Sequence, residues 1–296
     1  MKTQNANYQY LKKHVVFFIF MMLLLLMLFA RASAQEIQIT AKPSSYFRFG
    51  LGYGLSSGSQ MVEANSTQTS TYTYSDFSSS YSSTSKYEGV YGSLGSGLVF
   101  NTSYMHMYTK NIGLDVNLQY LLGKKYEGTN SNTYNGTTNI SKSSIRSRGI
   151  LFSPALIVIV GESKVKPYVQ VGLVMGKVKV LQEESYASAN KNTTEYKGGL
   201  SFGFKGGFGI DAPISENTFF FTELVFTGMS YYPKEATTTS EMNGITQPSQ
   251  PKVEFVREVT TDDNNESASN KQLRVSVPFG SVALNIGVKI LLKKST

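Results

Sequence analysis

The chain of 296 residues has no cysteine, no tryptophan and two histidines. Without cysteine no disulfide can staple the fold, and no lipid can be attached through an N-terminal thiol. His14 falls in a leader segment, so His106 alone is left to serve as a histidine base, and it sits beside a short turn. A His-based hydrolase or acyltransferase centre therefore has no obvious base. Metal binding has as little to draw on, because the only local acid cluster is Asp262, Asp263 and Glu266, which reads as a solvated loop tip. We expect no enzymatic activity, no metal and no cofactor. Past the leader, no apolar run reaches the roughly twenty residues that a membrane-spanning helix needs. Any residence in a membrane must then use strands.

What is present begins with that leader. Lys2, Lys12 and Lys13 precede an unbroken apolar run from Val15 to Phe29, and Ala32-Ser33-Ala34 follows. A basic region, an apolar region and a small-residue site in this order predict a secretory signal peptide over 1–34, cleaved after Ala34. The mature domain is then 35–296. Lys2, Lys12, Lys13 and Arg31 are four of the 28 basic residues and the leader holds no acid, so the mature charge is 28 − 4 − 20, or +4, rather than +8. A nucleic-acid partner is not implied.

Along the mature chain, alternation with a period of two recurs eight times. From Ile112 to Leu121, the side chains Ile112, Leu114, Val116, Leu118 and Tyr120 alternate with Gly113, Asp115, Asn117 and Gln119. Such a pattern puts one face in an apolar medium and the other in a wet one. The other seven segments are Tyr46 to Leu55, Leu94 to Met107, Gly149 to Val160, Pro167 to Val180, Gly198 to Asp211, Phe219 to Tyr231 and Ser281 to Leu292. In the second, Leu94, Leu98, Phe100 and Tyr104 are expected to face outward. The fourth is nearly all apolar and holds Pro154, so its phase stays open. Each is about as long as a tilted strand crossing a bilayer. Export together with a polar second face favours lipid outside and a hydrated interior inside a closed, all-β, antiparallel up-and-down transmembrane β-barrel of eight strands. The glycines alternate along strands and open no helix, so they are not phosphate cradles.

The connections alternate too. Tyr108 to Asn111, Gly161 to Lys166 and Ala212 to Asn217 are short, whereas about 56–88, 123–146, 182–196 and 232–273 are long and rich in Ser, Thr and Asn. Short turns on one side and long loops on the other are how outer-membrane barrels are built. That arrangement puts both termini in the periplasm and four long loops outside the cell. The Gly-rich Phe49-Gly50-Leu51-Gly52-Tyr53-Gly54, the run Lys166 to Gly172, Phe221-Thr222-Glu223 and the closing Asn285 to Leu292 resemble, in order and spacing, the eight-stranded outer membrane β-barrel family of Gram-negative bacteria, of the OmpA and OmpX type. The resemblance covers the mature chain. It implies outer-membrane lipid and lipopolysaccharide as surroundings, and a barrel-assembly signal at Asn285, Gly287, Ile290 and Leu292 read by the assembly machinery. The chain departs from many such proteins by ending Lys293-Lys294-Ser295-Thr296 instead of on an aromatic residue.

A ring of about eight strands leaves an interior only just wide enough for side chains to fill. Arg48, Asp115, Lys205, Glu223 and Lys289 have the inward phase, since Arg or Lys facing lipid near the midplane costs about 2–4 kcal/mol. All five lie near the short-turn end and can form one ring of compensating charge. The resemblance implies that Glu223 is an interior carboxylate paired to basic residues. Such a network either keeps the interior polar or lines a narrow path for ions or small solutes, as in a porin. In the first long loop Tyr72, Tyr74, Phe77, Tyr81 and Tyr87 alternate with Ser and Thr, a composition suited to binding a host or cell-surface ligand. A structural or adhesive role ranks ahead of a channel, and both rank ahead of an enzyme.

Overall fold

The structure, a computed structural model, describes residues 44–57, 60–75, 78–161, 164–186, 190–247, 252–258 and 270–294, so the expected signal segment lies outside the described residues. Every regular element among them is a strand. Eight strands form the frame: β1 (Ser44–Ser56), β2 (Gly97–Met107), β3 (Ile112–Gly123), β4 (Thr137–Ile159), β5 (Lys166–Tyr186), β6 (Ser201–Pro213), β7 (Thr218–Tyr231) and β8 (Ser281–Lys294). Each pairs antiparallel with the next, and β8 returns to pair with β1 through Gly50↔Gly287, so the sheet closes into a ring of eight. Closure satisfies the backbone groups that an edge would leave bare.

Sidedness follows the sequence phase. Phe47, Phe49, Leu51, Tyr53 and Leu55 of β1, Phe202, Phe204, Phe208 and Ile210 of β6, and Leu284, Ile286, Val288, Ile290 and Leu292 of β8 all point away from the ring and are exposed. The alternate positions point into the ring, and the charged and amide side chains among them, Arg48, Lys205, Asp211, Asn285 and Lys289, are buried. Leu94 is a correction to the outward set: it precedes β2, which starts at Gly97, and its side chain is buried within the ring, 1% exposed. The phase of β4 is now fixed, with Ile150 and Phe152 outward and Leu151, Ser153, Ala155, Ile157 and Ile159 inward. Pro154 brings no N–H to the β5 side of the ladder. The neighbouring Ser153 hydroxyl donates to the Leu173 carbonyl at 2.9 Å in its stead.

The short turns at 108–111 and 214–217 and the short connection from β4 to β5 fall at one end. At the other end, much of what is described of the polar connections is further sheet. β4 and β5 run on past the apolar belt, and Tyr126–Tyr134 folds back on β4 through a two-residue turn. Asn135 and Gly136 take positive φ there, 45° and 83°, as a type I′ hairpin demands. A hairpin of Gln60–Ser75 and Ser78–Gly92 lies alongside, Ser66 to Ser70 pairing in parallel with Asn130 to Tyr134. Asn190–Lys197 joins the extension of β5 to Glu235–Met242. Segments with small polar residues on both faces carry no period-two signal, which is why they read as loops.

Candidate functional site

The interior is layered. At the short-turn end Met105, Met107, Ile157, Ile159 and Tyr168 pack together with Tyr46 against them. Lys289 enters this layer, with Nζ 4.5 Å from the Tyr46 ring centre and 5.2 Å from that of Phe219, and it is ion-paired with Asp211. Asp211 was missed from the sequence because it closes the alternation Phe208-Gly209-Ile210-Asp211; its phase alone placed it inside.

Above lies a polar layer centred on Glu223. Its Oε2 accepts hydrogen bonds from Arg48 at 2.8 Å, Tyr168 OH at 2.8 Å and Gln170 at 3.0 Å, and Oε1 accepts one from Asn285 at 3.0 Å. Arg48 also donates to Tyr168 OH at 2.7 Å and stands 3.5 Å from Asp115. One carboxylate with four donors on it is a satisfied acceptor rather than a free charge, while Arg48 Nε, both Asp115 oxygens, Gln170 Oε1 and Asn285 Oδ1 around it have no hydrogen-bond partner among the described residues. The guanidinium lies 4.1 Å over the Phe221 ring, and the far edge of that ring packs close to two glycines. A Cβ at Gly50 would come within 2.9 Å of Phe221, and one at Gly287 within 2.7 Å of it and 2.1 Å of the Phe49 carbonyl. Gly52 makes the same room for Asn285.

The five inward charges thus do not form a single ring. Arg48, Asp115 and Glu223 are joined, Lys289 belongs to a separate pair with Asp211, and Lys205 is hydrogen-bonded to neither, though it stands within electrostatic reach of Glu223. Lys205 is buried beside Gly172 and Thr227, and no described polar atom is within hydrogen-bond reach of its Nζ. Of the expected assembly-signal positions, Asn285 and Gly287 serve this interior packing, while Ile290 and Leu292 point outward.

A third, apolar layer fills the ring toward the long connections. Leu121, Leu151, Val174, Val178, Met229 and Tyr231 point in from the strands, and Leu94 and Phe279 insert from connecting segments. Tyr126 helps hold that insertion, its hydroxyl 2.7 Å from Ser96 Oγ and 2.8 Å from Ser56 Oγ. The cavity between this layer and Asn285 measures about 20 Å³, room for about one water.

The projecting sheets present a second candidate surface. Tyr72, Tyr81 and Tyr134 cluster near the tip with ring centres 4.8 and 5.9 Å from Tyr72, and all three are exposed. The two hairpins are stitched together by Asn65 Oδ1 accepting from Thr129 N at 2.9 Å and by Asn135 Oδ1 accepting from Tyr72 N at 2.9 Å. Tyr134 was not singled out from the sequence, since it arrives from another connection. Phe77 and the acid cluster Asp262, Asp263 and Glu266 lie outside the described residues.

No family model matches the chain, and no curated protein does. Among solved structures the chain is similar to the outer membrane protein OprG from Pseudomonas aeruginosa, with 11% identity over 85% of this chain and 96% of that one and a TM-score of 0.38. It is also similar to a major outer membrane protein from Thermus thermophilus, with 11% identity, 84% and 99% coverage and a TM-score of 0.42.

Proposed function

We propose that the protein is an integral outer-membrane β-barrel of the OmpA and OmpX type, closed to solutes, whose projecting sheets bind a surface partner. One observation carries the membrane reading. A closed ring has its large apolar side chains exposed all round the outside and its Arg, Lys, Asp, Glu and Asn side chains buried within. A water-soluble protein would have this the other way round. Aromatic groups at the short-turn rim, such as Tyr104 bonded to Ser45 Oγ at 3.0 Å and Tyr108 against His106, suit the interface at the edge of the hydrocarbon. With an export leader, the short turns face the periplasm and the projecting sheets stand outside the cell.

Apolar layers above and below the Glu223 network support a plug over a channel. The exposed tyrosines, large and rigid on a polar sheet, support recognition over a purely structural role. Among the described residues no group of side chains supports an enzyme. Three measurements test the reading. The mature protein should migrate faster unheated than boiled in detergent gels, and a protein soluble without detergent would overturn the fold in the membrane. Planar bilayers should stay silent; stable openings that Glu223→Ala abolishes would replace the plug with a channel. Replacing residues 60–92 by a short turn should remove binding to immobilised matrix or neighbouring cells, and unchanged binding would defeat the surface role.

A further inference from the structure

On the outer face of β4 and β5, immediately past the apolar belt, four cations stand together. Arg146, Arg148, Lys177 and Lys179 alternate outward from the same two strands, and Arg148 is directly opposite Lys179 in the register. Like charges at directly opposed positions destabilise a sheet unless something negative lies between them. Nearby carboxylates offset the group only in part: Glu195 stands within electrostatic reach of Arg148 as well as Lys179, and Glu183 within reach of Arg146, and each is also engaged by further lysines. Glu195 takes Lys179 at 2.8 Å, Glu183 is bonded by Lys191 at 3.0 Å, Glu127 by Lys125 at 2.7 Å, and Glu235 is shared by Lys197 and Lys252. An open groove of about 300 Å³ runs between Arg146, Arg148 and Lys179, with Glu195 in its wall and Tyr120, Leu122 and Leu181 lining it; Lys177 stands beside it, opposite Ile150. Below it the surface continues into the exposed Ile150 and Phe152.

We infer that this groove seats the phosphate-bearing headgroup of an anionic lipid, with the acyl chains lying down the belt over Ile150 and Phe152. The inference rests on the barrel reading above, which sets this row of cations at the outer rim of the hydrocarbon. Arginine pairs bidentately with phosphate and lysine as a point charge, and a basic row at a membrane surface draws anionic headgroups. A soluble phosphate would gain from the cations alone and nothing from the apolar floor.

The test is native mass spectrometry of the mature protein in neutral detergent, titrated with phosphatidic acid, phosphatidylcholine or inorganic phosphate. The protein should prefer phosphatidic acid. In the variant Arg146→Gln/Arg148→Gln/Lys177→Gln/Lys179→Gln that preference should fall roughly tenfold or more. A control removing equal charge elsewhere, Lys86→Gln/Lys164→Gln/Lys234→Gln/Lys271→Gln, should change it by less than about twofold. A preference retained in the first variant, or lost equally in both, overturns the site. Inorganic phosphate competing as well as the lipid overturns the lipid as occupant. Heat-modifiable migration of the same samples separates the two readings. If the parent migrates as a barrel yet shows no lipid preference, this inference alone falls; if it does not migrate as a barrel, both fall.

Discussion

The ring and the sheets projecting from it are built from the same antiparallel ladders, yet opposite rules hold their register. In the ring the two faces of every strand meet different media, so a slip of one residue in β8 would turn Asn285 and Lys289 outward and Ile286 and Ile290 inward. In the projections both faces meet water, and Ser, Thr and Asn occupy both. Register there depends on tight turns, Asn135-Gly136 and Asn243-Gly244, each with both residues at positive φ. One region is specified by what surrounds it and the other by its own corners.

The largest effect should come from the centre of the ring. Glu223→Ala removes the acceptor for Arg48, Tyr168, Gln170 and Asn285 and leaves a buried guanidinium with Asp115 as its one remaining ion-pair partner among the described residues. We expect a loss of about 3–5 kcal/mol in urea unfolding from lipid vesicles. Glu88→Ala, on an exposed position of the projecting hairpin, should cost less than about 0.5 kcal/mol. Equal costs would erase the contrast between the regions. Next comes the outer face, where Ile286→Arg near the middle of the belt should cost about 2–4 kcal/mol in the same assay. Ile140→Arg, equally exposed but on the extension of β4, should be near neutral. If both are neutral, hydrocarbon does not touch the ring.

A smaller and more local effect tests the glycine floor. A Cβ at Gly52 would fall 1.7 Å from Asn285 Oδ1 but 3.0 Å from the Leu284 carbonyl. Gly52→Ala should therefore cost about 1–3 kcal/mol through overpacking, and much of that should vanish in an Asn285→Ala background. A double-mutant cycle measures the coupling, and additivity would show that Asn285 is not what the glycine accommodates.

The same contrast explains what was legible in the sequence. All eight ring strands could be found, because an apolar outer face against a polar inner one leaves an alternation such as Leu284, Ile286, Val288 against Asn285, Gly287, Lys289. β4 resisted, since its inward Leu151, Ala155 and Ile157 are as apolar as its outward face and belong to the layers that close the interior. Leu94 was misplaced for a related reason: an apolar residue next to an apolar strand is indistinguishable by phase from one that folds into the ring. The inward charges could be named from their phase, but not their grouping. That depends on the stagger between strands, which brings Arg48 into hydrogen-bond contact with Glu223 and leaves Lys205 near it without one. The extra strands had no sidedness to betray them.

The smallest expected effect separates the two regions by pH. In the projections, hydrogen bonds from Lys191 to Glu183, Lys179 to Glu195 and Lys252 to Glu235 hold these carboxyls below the usual glutamate range, against the opposing effect of partial burial. A carboxyl depressed in the folded state adds stability that is complete above its ordinary value, about 4.3, and is lost as pH falls through that value toward the folded one. Exposed pairs contribute little each, so the outcome is loosening rather than collapse. Amide exchange, corrected for its intrinsic pH dependence, should become faster in Asn190–Lys197 and Glu235–Met242 between about pH 6 and about pH 3.5, while β1 and β8 stay protected. Lys191→Met/Lys252→Met should flatten that dependence by exchanging faster already at the higher pH. An unchanged profile in that variant would mean that the cross-strand ladders alone, and not these ion pairs, hold the projecting sheets together.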